Sequence, residues 1–184
     1  MAKLYFRYGV VSSAKTLNLL ATVHNYEQQG KFPILIKPAM DTRSELVESR
    51  AGLSHKADII LSQGDDVAAR IYPFRDRLIS AIVVDEVQFL TKEQVESLRK
   101  ISAFLDIPVL CYGLRTKSDA TLWPSIVTLM AVADSIEEIK TTCTFCDNKA
   151  IFSKAVVATD DQGINLGWDT FIPVCAKHFY GNEK

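Results

Sequence analysis

Three groups of residues in this chain have types and spacings that could do chemistry. The first is Gly9-Val10-Val11-Ser12-Ser13-Ala14-Lys15-Thr16, which follows the apolar, aromatic run Leu4-Tyr5-Phe6-Arg7-Tyr8. It matches a phosphate-binding P-loop at every position but Ala14, where the pattern asks for glycine. In such a loop backbone N–H groups wrap a phosphate at the start of a helix, the lysine reaches the β- and γ-phosphates, and the hydroxyl after it holds Mg2+. Alanine before the lysine is expected to take a positive φ at a cost of about 1–2 kcal/mol, which weakens the loop without abolishing it. Alone, the segment fits either a nucleotide site or a Ser-rich strand-to-helix turn with an incidental lysine.

The second group is Ile82-Val83-Val84-Asp85-Glu86. An apolar strand ending in an acid is the Walker B arrangement, in which the carboxylate steers Mg2+. Glu86, next to it, is placed to act as a base. The spacing from the first loop is compatible with neighbouring strands.

The third group is Cys143-Thr-Phe-Cys146 and, after 28 intervening residues, Cys175-Ala-Lys-His178. Two ligand pairs with two-residue spacers are a tetrahedral zinc signature, and thiolates with an imidazole suit zinc. Four protein ligands make the site structural, not catalytic. Cys111 stands apart in an apolar run, His24 and His55 have no such companions, and Trp123 and Trp168 read as packing groups.

These groups need elements to hold them. Strands are expected at 3–8, 32–37, 57–61, 78–84, 108–112 and 135–140. Helices are expected from Lys15 to about Gln29, after Asp65-Asp66, after Thr91, and over 123–134. Thr91 and Gln94 form a capping box, and Val95, Leu98, Ile101 and Leu105 mark the buried stripe behind it. Residues 38–57 read as a polar loop containing Asp41-Thr42-Arg43. Alternating strands and helices imply an α/β fold, a parallel sheet with helices on both faces that binds ligands at the carboxyl ends of its strands. The alternation stops near Thr141, which predicts a core over 1–140 and a second domain over 141–184.

The bulk numbers bound the rest. The chain has 184 residues, 48% hydrophobic and 23% charged, enough for one sizeable core. A net charge of −1 gives no general attraction to nucleic acid or to an anionic membrane. No run approaches the roughly 20 apolar residues of a membrane span. The first residues lack a signal peptide's apolar region, so a cytoplasmic location with reduced cysteines is expected.

Taken in order, the motifs resemble the type II thymidine kinases. The resemblance rests on the phosphate loop, Lys37-Pro-x-x-Asp41-Thr-Arg43, Asp85-Glu86-x-Gln88-Phe89, Tyr112-Gly-Leu-Arg115 and the Cys-x-x-Cys…Cys-x-x-His set, and it spans essentially the whole chain. It implies a RecA-like P-loop core with a small zinc-bearing lasso domain. It also implies transfer of the ATP γ-phosphoryl group to the 5′-hydroxyl of thymidine or deoxyuridine in nucleotide salvage.

In that family's terms Gly9 to Thr16, with Asp41 and Arg43, would bind the phosphates. Thr16 and Asp85 would serve Mg2+, and Glu86 would accept the hydroxyl proton. Phe89 and Leu114 would line the pyrimidine pocket. The lasso, about 164–174, would close over the base through Ile164, Leu166 and Gly167, with Phe171 where the family usually has tyrosine. A homotetramer and feedback inhibition by dTTP are further implications of the resemblance.

The chain departs from the family pattern at Ala14, at Ser118 (commonly aromatic) and at Asp119-Ala120-Thr121 (commonly a Gly-containing turn). It departs again at Ala155 (often arginine) and at Leu166-Gly167 (usually a double glycine). Two alternatives therefore stand beside the kinase: a catalytically weakened nucleotide-binding or regulatory homologue, and a kinase with shifted nucleoside preference.

Overall fold

The computed structural model describes residues 1–40, 45–156 and 171–181. Its centre is a sheet of six strands, all parallel: β1 (Leu4–Tyr8), β2 (Phe32–Pro38), β5 (Ile59–Leu61), β6 (Ile79–Val84), β7 (Val109–Gly113) and β8 (Ser135–Glu138), in the order β5-β2-β6-β7-β1-β8. The expected α/β architecture is thus observed.

Strict alternation along the strands makes the two faces. Leu4, Phe6, Ile34, Ile36, Ile82, Val84, Val109 and Cys111 point one way and are buried with residues of three helices: α2 (Val67–Ile71), α3 (Lys92–Phe104) and α4 (Pro124–Val132). Leu35, Ala81, Val83, Leu110 and Tyr112 point the other way, against Leu19, Leu20 and Val23 of α1 (Lys15–Gln28). A strand covered on both faces needs apolar residues at every position, which is why the 78–84 run is continuous.

Local signals set the helix ends. Asp66 caps α2 through Ala68 N–H, at 2.8 Å. Thr91 and Gln94 exchange both bonds of the capping box that opens α3. The stripe of α3 ends at Ile101, however. Leu105 caps the helix and is 60% exposed, because the chain leaves helical geometry there and turns through Asp106 at φ 56°.

Two further expectations are corrected. Residues 38–57 are not simply a loop: β3 (Leu46–Glu48) and β4 (Ser54–Lys56) form an antiparallel hairpin. Its only fully buried strand residue is Val47, which packs with α1 residues. Nor are the strands carrying the two nucleotide-type motifs adjacent, since β7 lies between β1 and β6.

The chain then leaves the sheet. A turn around Cys143 leads into β9 (Phe152–Ala155), which pairs antiparallel with β10 (Phe171–Val174), and α5 (Ala176–Tyr180) follows. Among the described residues no helix is long and apolar enough to cross a membrane.

Candidate functional site

The carboxyl ends of β1, β6 and β7 gather the first two groups of residues. Gly9 leaves β1, and its N–H donates to Gly113 O at 3.2 Å, tying the loop to the end of β7. A side chain at Gly9 would put its Cβ 2.2 Å from Ser13 Oγ and 2.6 Å from Ile139 O, so the close turn requires glycine. Ser12 and Ala14 both take positive φ, 58° and 61°, and Ala14 is the residue from which α1 starts. The left-handed conformation expected at Ala14 is therefore present without glycine to relieve it. Ala120, in the other turn where the family commonly has glycine, is likewise at φ 67°.

Lys15 is buried, and its ammonium donates to Val10 O at 2.8 Å within the loop. Burial lowers its pKa. The carboxylates of Glu86 and Asp85 oppose that shift, and the Arg50 guanidinium adds to it. Thr16 Oγ1 lies 3.4 Å from Asp85 Oδ2, so the first hydroxyl of α1 and the terminal acid of β6 meet across the intervening strand. The two oxygens are of the hard type that Mg2+ takes. Ser13 Oγ is buried with no hydrogen-bond partner among the described residues.

Glu86 follows with φ 46° and ψ 42°, a left-handed conformation that turns the chain sharply off β6. Its carboxylate accepts a hydrogen bond from Gln88 Nε2. Gln88 is fully buried and divides its amide. Its Oε1 accepts from Leu114 N–H at 2.9 Å, and its backbone carbonyl accepts from Ser125 Oγ at 2.8 Å. One side chain thus fixes both the acid at the end of β6 and the loop after β7. Gly113 makes room for it, since a Cβ there would sit 2.5 Å from Gln88 Oε1. Phe89 is half-buried and meets Trp123 edge-on at 5.4 Å between centroids.

The C-terminal unit touches this site. Ser153 on β9 accepts a hydrogen bond from the phosphate loop, Val11 N–H to Ser153 Oγ at 3.1 Å. Ala155 is two residues on, hence on the same face of β9, and Phe171 of β10 is its register partner. A narrow cleft lies between the phosphate loop and β9, lined in part by Gly9, Val10, Leu114, Arg115 and Ser153.

The metal-type residues converge. One ligand atom from each of Cys143, Cys146, Cys175 and His178 falls within 4.8 Å of the others. Cys146 Sγ and Cys175 Sγ are 3.8 Å apart, and His178 Nδ1 is 3.2–3.6 Å from the three sulfurs. Tetrahedral zinc, with Zn–S near 2.3 Å and Zn–N near 2.0 Å, asks for ligand separations of about 3.5–3.8 Å. Burial pushes the Cys143 thiol up. Hydrogen bonds from Phe145 N–H and from Cys175 and Cys146 outweigh it and bring the value down to about 6, while the same contacts among the sulfurs push Cys146 up. Cys111, buried in β7, is instead pushed up to about 12 and is an inert core thiol.

Of the sequence-derived site residues, Gly9 to Thr16, Asp85, Glu86, Phe89 and Leu114 come together, as do the four metal-type ligands in their own cluster. Phe171 stands in β10. Asp41, Arg43, Ile164, Leu166 and Gly167 lie outside the described residues. His24 is exposed on α1, and His55 pairs with Glu27 at 3.0 Å, both away from the site. The sequence does not mark Ser153, Gln88 or Arg50 as site residues. Gln88 belongs to the Asp85-Glu86-x-Gln88-Phe89 motif, but nothing in the spacing says that its amide spans two strands.

Known proteins resemble this chain over its full length. The family model described as thymidine kinase matches residues 2–179. A thymidine kinase of Streptococcus agalactiae is 37% identical over 191 aligned residues, covering 100% of both chains. One from Streptococcus pyogenes serotype M3 is 36% identical over the same span and coverage. Among solved structures, a Pif1 helicase from Candida albicans overlays 75% of this chain and 36% of its own, with 11% identity and a TM-score of 0.46. Matched over nearly its whole length by the family model and by relatives of equal extent, the chain belongs to the thymidine kinase family.

Proposed function

We propose that the protein is an ATP-dependent thymidine kinase, moving the γ-phosphoryl group of ATP to the 5′-hydroxyl of thymidine or deoxyuridine. The observation that carries this reading is the meeting of Thr16 Oγ1 and Asp85 Oδ2 beside the buried Lys15, at the sheet end where Gly9 forces a close turn. The orphaned Ser13 hydroxyl fits a bound phosphate oxygen. Mg2+, held by Thr16 and Asp85, would neutralise charge on the β- and γ-phosphates.

The chain's own residues do the rest. Lys15 gives up Val10 O and binds a phosphate oxygen. Glu86 takes the 5′-hydroxyl proton as that oxygen bonds to the γ-phosphorus and the bond to the ADP oxygen breaks. Phe89 and Leu114 flank the pyrimidine. Asp41 and Arg43 assist at the phosphates, and Ile164, Leu166, Gly167 and Phe171 belong to the segment that closes over the base. Such a reaction needs positioning and charge neutralisation more than covalent chemistry, and residues on four elements around one sheet end supply that.

The four-ligand cluster suits a structural Zn2+ by donor type and spacing, which supports a division into a nucleotide-binding core over 1–140 and a zinc-binding unit over 141–184. The exposed Val127 and Met130 on α4, with Phe104 and Leu105 at the end of α3, support self-association as a homotetramer. Light scattering that returned a monomer would remove that assignment. We further infer nucleotide salvage in the cytoplasm as the setting and dTTP as a feedback inhibitor, checked by adding dTTP to the kinase assay.

Purified, zinc-loaded protein should form dTMP from thymidine only with both ATP and Mg2+ present. No product, with folding and zinc content verified, overturns the reading and leaves the non-enzymatic nucleotide binder. Product from another nucleoside but not thymidine marks a kinase of shifted preference.

Ala14 offers a separate measurement. Its φ of 61° costs an L-residue about 1–2 kcal/mol, partly offset in glycine by unfolded-state entropy. Ala14→Gly should raise the melting temperature by about 2–4 °C and leave or improve ATP affinity. A lower melting temperature would show that the alanine methyl makes compensating contacts in the loop.

A further inference from the structure

The β3–β4 hairpin does more than fill a gap between strands. Val47 pins it to α1, Ser49 closes its turn through Leu53 (Ser49 N–H to Leu53 O at 2.8 Å), and Gly52 at φ 86° completes the reversal. Arg50, between them, extends over the phosphate loop and donates from Nη1 to Ser12 Oγ at 2.7 Å. Its charge reaches the buried Lys15, whose ammonium it disfavours. Arg50 and Lys15 thus put two cations on one loop, where the carboxylates of Glu86 and Asp85 also face the ammonium. Lys15 alone is one point charge against a polyanion, whereas a guanidinium offers a fork of donors that matches phosphate oxygens.

Resting on the phosphate-loop reading above, we propose that Arg50 is a phosphate-binding residue: when a nucleoside triphosphate enters the loop, the guanidinium leaves Ser12 Oγ and binds oxygens of the terminal phosphates together with Lys15. The hairpin then acts as a clasp on the loop. Charge-assisted hydrogen bonds of this kind give about tenfold or more in affinity.

The test is calorimetric binding of Mg2+ with a non-hydrolysable ATP analogue, of ADP, and of thymidine, to the full-length zinc-loaded protein and its Arg50→Gln and Arg50→Lys variants. Arg50→Gln should weaken the triphosphate by about tenfold or more, weaken ADP less, and leave thymidine unchanged, while Arg50→Lys recovers part of the loss. Unaltered triphosphate affinity in Arg50→Gln overturns the proposal. So does an equal loss for thymidine with a lowered melting temperature, which would mean that Arg50 only braces the hairpin. Failure of the kinase reading is distinct, because it appears as a wild-type protein that makes no dTMP, and the binding comparison still reports on Arg50.

Discussion

Glu86→Gln should abolish nearly all dTMP formation, by about 10²–10⁴-fold in turnover, with ATP and thymidine affinities within a few-fold of wild type. The substitution is close to isosteric, and the glutamine Oε1 can still accept from Gln88 Nε2, so the buried amide network that joins β6 to the loop after β7 persists. What is lost is a group able to take the hydroxyl proton. Steady-state kinetics with each substrate varied in turn separates this from a binding defect. Turnover above about a tenth of wild type would mean that the proton leaves by another route.

The backbone supplies a companion measurement. Glu86 is held at φ 46° and ψ 42°, a conformation that costs a side-chain-bearing residue of order 1–3 kcal/mol. Glu86→Gly should therefore be at least as stable as wild type to thermal unfolding while remaining inactive. Stability and activity moving in opposite directions would identify the site as the place where strain is stored. A less stable Glu86→Gly would instead give the carboxylate a net structural role.

Removing zinc should be nearly as damaging. Among the described residues, the C-terminal unit buries few apolar groups of its own, with Val174 and the ligands Cys143 and Cys175 at its centre and Phe152, Ile172 and Phe179 packed around them. A core of that size does not fold a unit unaided, whereas structural zinc contributes about 10–16 kcal/mol in small domains. Chelation, or Cys146→Ser, should therefore unfold β9, β10 and α5 and withdraw Ser153 from Val11 N–H. The expected result is loss of thymidine phosphorylation with little change in the far-ultraviolet signal of the six-stranded core, and recovery on adding zinc back. Full activity in protein verified to be zinc-free would show that the unit folds and closes without the metal.

How much of this was legible in the sequence follows from where the information lies. Local signals were readable. The continuous apolar run of β6 reports burial on two faces, Thr91 and Gln94 report a helix start, and paired Cys-x-x ligands report a tetrahedral set, each within a few residues. Even the strain at Ala14 followed from one missing glycine. The β3–β4 hairpin was not readable, because a strand with a single buried residue, Val47, shows no period. Leu105 misled because helical spacing continues on paper after the helix has ended.

The order of strands is a tertiary property, so the placement of β7 between the two motif strands had no local trace. Ser153, Gln88 and Arg50 share that character. Each acts on a residue distant in sequence or through a bond spanning two strands, and the residue type alone, a serine in a short strand or an arginine in a turn, carries no such instruction.

The order β5-β2-β6-β7-β1-β8 has a consequence for the newborn chain. β1 is made first, yet its two neighbours are among the last strands of the sheet: Leu4 is the register partner of Val109, and Tyr5 of Ser135. At ribosomal speeds of about 5–20 residues per second, Leu4 and Phe6 wait several seconds to about 20 s for β7 to be made, and longer for β8. The interval is one of exposed apolar surface and no ligand rescue, since the loop after β1 is tied down only when Gly113 arrives to accept from Gly9. Slow growth of long-range pairings is also what limits folding rates in general. Nucleotide can therefore protect the finished protein from heat or protease but not the nascent one. A slowly translated stretch ahead of β7 would lower the yield of this protein without altering a single contact in it.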